Sequence, residues 1–181
     1  MTINRAWDIL EQAELLCTAE EVQAALQRIA GEINSALAEK NPLVLSVMGG
    51  AVVFSGQLLP LLNFPLDFDY VHVSRYGDAR TGGAMRWKVE PHESVRGRVV
   101  LLVDDILDEG HTLHALQQRV LELGALRCYS AVFADKLHGR LKPVHADFVG
   151  MELPDRFVFG YGMDIDGLWR NLPAIYAVKQ S

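Results

Sequence analysis

The stretch that most constrains this chain is VVLLVDDILDEGHTL, Val99 to Leu113. Five consecutive apolar residues, Val99-Val100-Leu101-Leu102-Val103, suit a strand buried on both faces, which is the signature of a parallel sheet. That strand delivers Asp104 and Asp105 to its carboxyl edge. Asp108 follows three residues later, and Gly110-His111-Thr112 opens a helix marked by Leu113, Leu116, Val120 and Leu123 and closed by Gly124. Cys128 to Ala134 is the next strand. The same order occurs earlier: a strand at Leu43 to Met48, a turn at Gly49-Gly50, a helix from Val52 to Leu62 ended by Asn63-Phe64-Pro65, and a strand at Leu66 to Ser74. This repeated βαβ alternation predicts a mostly parallel, twisted α/β sheet with helices on both faces. Its ligands belong outside the carboxyl ends of the strands.

Other segments fill in around that frame. Thr18 and Glu21 have capping-box spacing, and Val22, Leu26, Ile29, Ile33 and Leu37 repeat at helical period until Asn41-Pro42, so a helix starts at Thr18. Arg75 to Met85 contains Gly77, Gly82 and Gly83 with no periodicity and reads as a mobile loop. Phe148 to Met151, Phe157 to Tyr161 and Ala174 to Val178 are short and separated by Pro154 and Pro173. They read as edge strands and, with the N-terminal segment, a small cap. With 181 residues and no repeat or linker, residues 1–181 are expected to form a single domain.

Composition removes several classes of function. Lys and Arg number 17 against 23 Asp and Glu, a formal charge of −6, the wrong sign for a protein that neutralises nucleic-acid phosphates. Half the residues are hydrophobic, which excludes wholesale disorder. Two isolated cysteines, Cys17 and Cys128, make no disulfide framework, so a reducing compartment is expected. The N-terminus has neither a basic start nor a long apolar run, and no stretch approaches the roughly 18 apolar residues of a membrane span. The expectation is a soluble, cytoplasmic protein that engages neither membrane nor nucleic acid. The histidines at 72, 92, 111, 114, 138 and 145 show no metal-ligand spacing, and Trp7, Trp87 and Trp169 read as packing.

Chemistry concentrates at Asp104 to Thr112. A helix start offers unpaired N–H groups and partial positive charge, and glycine lets the backbone close around an anion, so the turn suits a phosphate. Adjacent carboxylates repel unless a cation or a set of hydroxyl donors lies between them. A ligand carrying phosphate, hydroxyls and Mg²⁺ meets both demands. One such acid would be a solvated strand end or a helix cap; three together with a glycine turn favour function. There is no Gly-Lys-[Ser/Thr] of a Walker loop and no G-x-G-x-x-G. A phospho-receiver domain also begins with paired acids but needs roughly 100 residues after them, and 76 follow Asp105.

Val99 to Leu113 resembles the phosphoribosyl-pyrophosphate signature of the type I phosphoribosyltransferases. Together with Asp135-Lys136 and PDRFVFGYGMD, Pro154 to Asp164, the chain resembles the hypoxanthine-guanine branch from about Leu43 to Val178. The resemblance implies that Asp104 and Asp105 bond the ribose hydroxyls, directly or through the metal, and that Asp108 is the general base at the purine N7. It implies a 5′-phosphate cradle from Asp108, Glu109, Gly110, His111 and Thr112, and pyrophosphate contacts from Met48-Gly49-Gly50 and Arg170. Lys136 would recognise the purine O6, Phe157 stack on the base, and the Val158 backbone read the ring edge. Taken alone, Lys136 would be a surface lysine and Phe157 a core aromatic. Ser74, Arg75 and Tyr76 would root the closing loop. Asp164, with Asp104 and Asp105, would be associated with Mg²⁺.

Two positions depart from the pattern. Met48 stands where many relatives carry Lys or Arg, and Glu109 stands where the signature often has Thr. The implied activity is phosphoribosyl transfer from phosphoribosyl pyrophosphate to hypoxanthine or guanine, by a homodimer or homotetramer. The alternatives are transfer to another purine such as xanthine, and a nucleotide-sensing regulator on the same fold.

Overall fold

The computed structural model describes residues 1–75 and 85–179. In chain order its elements are helix α1 (Ile3–Gln12), strand β1 (Glu14–Cys17), α2 (Ala19–Leu37), β2 (Leu43–Met48), α3 (Val52–Leu58), β3 (Asp67–Arg75), β4 (Met85–Val89), β5 (Val99–Leu107), α4 (His111–Glu122), β6 (Arg127–Leu137), β7 (Phe148–Pro154), β8 (Val158–Phe159) and β9 (Ile175–Ala177). Six strands form the main sheet in the order β4-β3-β2-β5-β6-β7. All neighbours run parallel except β3 and β4. The loop expected between Arg75 and Met85 lies, for residues 76–84, outside the described residues.

Side-chain alternation along the strands assigns the two faces. Val44, Leu101, Val103 and Phe133 join a core built with Val22, Leu26, Ile29, Ile33 and Leu37 of α2 and Phe54 and Leu58 of α3. Leu45, Val100, Leu102 and Val132 pack with Leu113, Leu116 and Val120 of α4 on the opposite face. Helix α2 begins as the sequence predicts: the Glu21 N–H donates to the Thr18 hydroxyl (3.2 Å) and the Thr18 N–H donates to the Glu21 carboxylate (2.8 Å), satisfying two donors that a helix start otherwise leaves open. Helix α3 is shorter than its apolar run. Pro60 cannot supply an α-helical N–H, and residues Leu59–Leu61 tighten into a single 3₁₀ turn.

Strand β5 is longer than its apolar run, and the reason positions the site. It pairs with β6 along almost its whole length, from Val99↔Arg127 to Leu107↔Asp135. On its other edge β2 pairs only as far as Ser46↔Val103. Asp104 and Asp105 therefore lie within the strand but face a free edge. The chain leaves β2 through α3 to one side of the sheet and leaves β5 through α4 to the other. This is the topological switch point where open α/β sheets form a crevice.

The cap is a second, antiparallel sheet, β1-β9-β8. No sequence signal marks α1 or β1 individually. Helix α1 is tied down by Trp7, which packs edge-on against Trp169 at 4.8 Å, and by the Trp169 indole N–H, which donates to the Ala6 carbonyl at 3.0 Å. Arg156 clips the sheet together, pairing with Glu14 at 2.6 Å and donating to the Val178 carbonyl at 3.1 Å. Val158, Tyr161, Met163, Ile175 and Ala177 extend the α2–α3 core under the cap.

Candidate active site

A cleft of about 510 Å³ opens at the switch point. Met48, Gly49 and Gly50 from the end of β2, Asp104 to Gly110 and Thr112 from β5 and the start of α4, and Asp164 and Arg170 from the cap side line it. A smaller recess of about 220 Å³ adjoins it, sharing Asp105, Ile106, Asp108 and Asp164 and adding Lys136, Phe157, Val158 and Met163.

Close backbone approach builds the β2 wall. A Cβ on Gly50 would collide with the Asp105 carboxylate, and one on Gly162 would collide with the Gly50 carbonyl, so both positions require glycine. The Met48–Gly49 peptide is cis. Gly162 anchors the segment carrying Asp164 and Arg170: the Arg170 guanidinium donates to the Gly162 carbonyl and pairs with Asp164, both at 2.6 Å. The Gly167 N–H also donates to Asp164 at 2.6 Å.

At the β5 edge two carboxylates are held side by side. The Asp105 N–H donates to Asp104 Oδ1, and the Ile106 N–H to Asp105 Oδ1, both at 2.9 Å. Burial, reinforced by the charge of Asp105, pushes the Asp104 carboxyl well above the ordinary carboxylate range. Burial also raises Asp105, although its bond to Asp104 and the nearby Arg170 charge oppose the rise. Among the described residues neither acid forms an ion pair. This is the environment of a ligand site for cations or hydroxyls.

Past the acids, Gly110 takes a left-handed conformation (φ 82°) and α4 begins, so the N–H groups of its first turn are free of helical partners at the cleft. Asp108, just beyond β5, pairs with Lys136 of β6 at 2.8 Å. The Lys136 side chain is 12% exposed and the Asp108 side chain 47% exposed. Phe157 precedes β8 and is 57% exposed, so its ring is not part of the core.

The expected site residues divide accordingly. Met48, Gly49, Gly50, Asp104, Asp105, Asp108, Glu109, Gly110, Thr112, Asp164 and Arg170 share the larger cleft. Lys136, Phe157 and Val158 share the recess. Lys136 lies inside β6, because that strand runs on to Leu137. His111 is exposed and lines instead a neighbouring cavity of about 90 Å³ with Glu109, His138 and Arg140. Ser74 ends up near the close of β3 and lines neither cleft, and Tyr76 lies outside the described residues. Among the described residues no three His, Cys, Asp or Glu side chains are arranged to hold a metal by themselves. Asp104, Asp105 and Asp164 thus form no protein-only cage. Two residues beside the site are given no role by the sequence pattern. His138 Nε2 lies 3.1 Å from the Asp108 carbonyl, and Lys142 bonds behind the recess. Both sit in an irregular loop whose polar residues carry no periodic signal.

Known proteins match this architecture. Residues 2–166 match the phosphoribosyl transferase domain family. The chain is 34% identical to the hypoxanthine-guanine phosphoribosyltransferase of Bacillus subtilis (strain 168), covering 92% of this chain and 93% of the relative. It is 32% identical to that of Aquifex aeolicus, over 93% and 96%. The solved hypoxanthine phosphoribosyltransferase of Staphylococcus aureus superposes with a TM-score of 0.87 at 26% identity, covering 98% and 97% of the two chains. A ternary substrate complex of the Trypanosoma cruzi enzyme superposes at 0.84 with 33% identity, covering 93% and 97%. The fold and cleft thus define a phosphoribosyltransferase, and the chain belongs to that family, in its hypoxanthine-guanine branch.

Proposed function

We propose that residues 1–181 work as one domain that transfers the 5-phosphoribosyl group of phosphoribosyl pyrophosphate to hypoxanthine or guanine and releases pyrophosphate. The observation that carries this reading is the Asp108–Lys136 pair, which joins the ends of two strands at 2.8 Å. It lies where the recess meets the larger cleft, with the acids of β5 and the start of α4 on its other side. A 6-oxopurine offers a carbonyl acceptor at O6 and a nitrogen at position 7, a spacing suited to one charged donor beside one carboxylate.

In this reading Lys136 donates to O6 and Asp108 takes the N7 proton as N9 attacks the ribose carbon. Phe157 stacks on the base, and the buried Val158 contributes its backbone at the ring edge. Asp104 and Asp105 accept the ribose hydroxyls, which relieves their mutual repulsion. Backbone N–H groups from Asp108 through Glu109, Gly110 and His111 to Thr112, with the Thr112 hydroxyl, hold the 5′-phosphate. Gly49, Gly50 and Arg170 face the pyrophosphate as it leaves, with Met48 beside them contributing backbone only. Positive charge on the ribose carbon in the transition state is stabilised by the nearby carboxylates.

The donor set fits a hard divalent cation. Asp104, Asp105 and Asp164 are oxygen donors on the same cleft that form no protein-only cage among the described residues; they would hold Mg²⁺, a hard cation that is usually bound by one or two carboxylates together with substrate oxygens and water. When bound it would neutralise the leaving diphosphate. A homodimer or homotetramer in the cytoplasm is our reading of the setting. The two cysteines are unpaired, and no helix among the described residues is long and apolar enough to cross a membrane.

The test is a product assay with hypoxanthine, guanine and xanthine, phosphoribosyl pyrophosphate and Mg²⁺, with Asp108→Asn as control. Formation of IMP and GMP by the wild-type chain supports the reading. Binding of phosphoribosyl pyrophosphate without any product would favour a nucleotide-sensing protein.

A further inference from the structure

Behind the purine recess lies a buried cation that the proposed chemistry leaves unused. Lys142, in the connection between β6 and β7, has a side chain 8% exposed. Its ammonium donates to the Leu107 carbonyl and to the Lys136 carbonyl, each at 2.8 Å, and to the Asp135 carboxylate. An ammonium has three donors and no acceptor, so these three bonds satisfy it completely. The partners are not random surface groups. The Leu107 carbonyl belongs to the peptide that carries the Asp108 N–H, and the Lys136 carbonyl to the peptide leaving the Lys136 Cα. One charge therefore fixes a backbone plane next to each member of the Asp108–Lys136 pair. The following residues reinforce the placement: a Cβ on Gly110 would meet Pro143 and Val144 at 3.3 Å and Lys142 at 3.4 Å, so the same loop braces the turn that starts α4.

We propose that Lys142 is a positioning residue for purine recognition, holding the ends of β5 and β6 at the separation that lets Asp108 and Lys136 engage one base together. The proposal rests on the purine-binding role given above to that pair. A compact ammonium suits the task, since a guanidinium spreads its donors across a planar fork and cannot converge them on three acceptors around one point. Asp135 supplies the countercharge that makes the buried cation tolerable. Lys142 does not itself reach the base.

Four variants test this: Lys142→Met, Asp135→Asn with Lys142→Met, Lys136→Ala, and Lys136→Ala with Lys142→Met. Each is assayed for the KM of hypoxanthine, guanine and phosphoribosyl pyrophosphate, for kcat and for melting temperature. Lys142→Met alone strands the Asp135 charge, and Asp135→Asn relieves it, so the double variant separates folding from positioning. The expected result is a KM for both bases raised roughly tenfold in the double variant, with the KM for phosphoribosyl pyrophosphate within about twofold of wild type and the melting temperature recovered relative to Lys142→Met. Because the effect runs through the joint engagement of the base by Asp108 and Lys136, which Lys136→Ala already abolishes, removing Lys142 in that background should add less than about twofold. If the double variant recovers base KM along with its melting temperature, Lys142 is only a structural plug and the proposal is overturned. The purine reading would then still stand on the effect of Lys136→Ala. If Lys136→Ala itself leaves the base KM unchanged, the purine reading fails and carries this proposal with it.

Discussion

The carboxyl ends of β5 and β6 lie side by side and handle charge in opposite ways. At the end of β6, Asp135 is matched by Lys142 and Lys136 by Asp108, so each charge already has its counterpart within the protein. On the free edge of β5, Asp104 and Asp105 are packed together without an ion pair among the described residues, and burial raises both carboxyls. A buried charge pair can be sustained by its own geometry, whereas buried like charges need a partner from elsewhere. The contrast separates charges balanced within the protein from charges that call for a ligand. In the function proposed above, β6 presents the recess for the base, while the β5 acids are stabilised by ribose hydroxyls and a cation.

The largest expected effect lies where the two ends meet. Asp108→Asn should lower turnover by roughly 10²–10⁴-fold, with the fold and phosphoribosyl pyrophosphate binding retained. Steady-state kinetics near wild type would remove Asp108 from the chemistry. Lys136→Ala should come next, raising the KM for 6-oxopurines by an amount corresponding to roughly 1.5–3 kcal/mol, the worth of a charged hydrogen bond. Unchanged kinetics with both bases would make the β6 end purely structural.

The contrast between the two ends was only half legible in the sequence. The β5 acids announced themselves because an uninterrupted apolar run ended in three carboxylates and a glycine turn. The longer extent of β5 did not, since it depends on β6 continuing to pair after β2 has stopped. The Thr18–Glu21 box located the start of α2 to the residue. Helix α1 and β1 were missed because their order comes from tertiary contacts, the Trp7–Trp169 packing and the Arg156–Glu14 bridge. Lys142 was hidden for a related reason: a lysine between Gly139 and Pro143 reads as solvated, and only the folded loop turns it inward. Phe157 and Lys136, which alone would read as core and surface, took meaning only from the motif around them.

A subtler effect is expected in stability. The raised carboxyls mean that the ligand-free fold retains protons the unfolded chain has released. That contribution to stability is fully present below the ordinary carboxylate range, about pH 4, and is lost as pH rises through the raised values. Asp104→Asn should therefore raise the melting temperature of the metal-free and ligand-free protein at pH 7, by roughly 2–4 °C for each kcal/mol of repulsion relieved. The gain should shrink as pH falls toward 4. A gain that grows on acidification would reverse the sign and contradict the picture of two repelling acids.

The smallest effect concerns the turn between the two ends. Glu109→Thr should retain activity and change the KM for phosphoribosyl pyrophosphate by only a small factor, because the phosphate is assigned to backbone N–H groups and the Thr112 hydroxyl. Thr112→Val should raise that KM, since a methyl group cannot donate. Loss of turnover in a folded Glu109→Thr variant would assign Glu109 a direct role in the chemistry.

The most direct test of the contrast is thermal unfolding of the wild type and of Asp104→Asn/Asp105→Asn, each with and without phosphoribosyl pyrophosphate plus Mg²⁺. If the β5 acids are held for the ligand, the double variant should melt above wild type when both are ligand-free, and only the wild type should gain substantially on ligand addition. A double variant that starts no higher and gains as much as wild type would contradict the account.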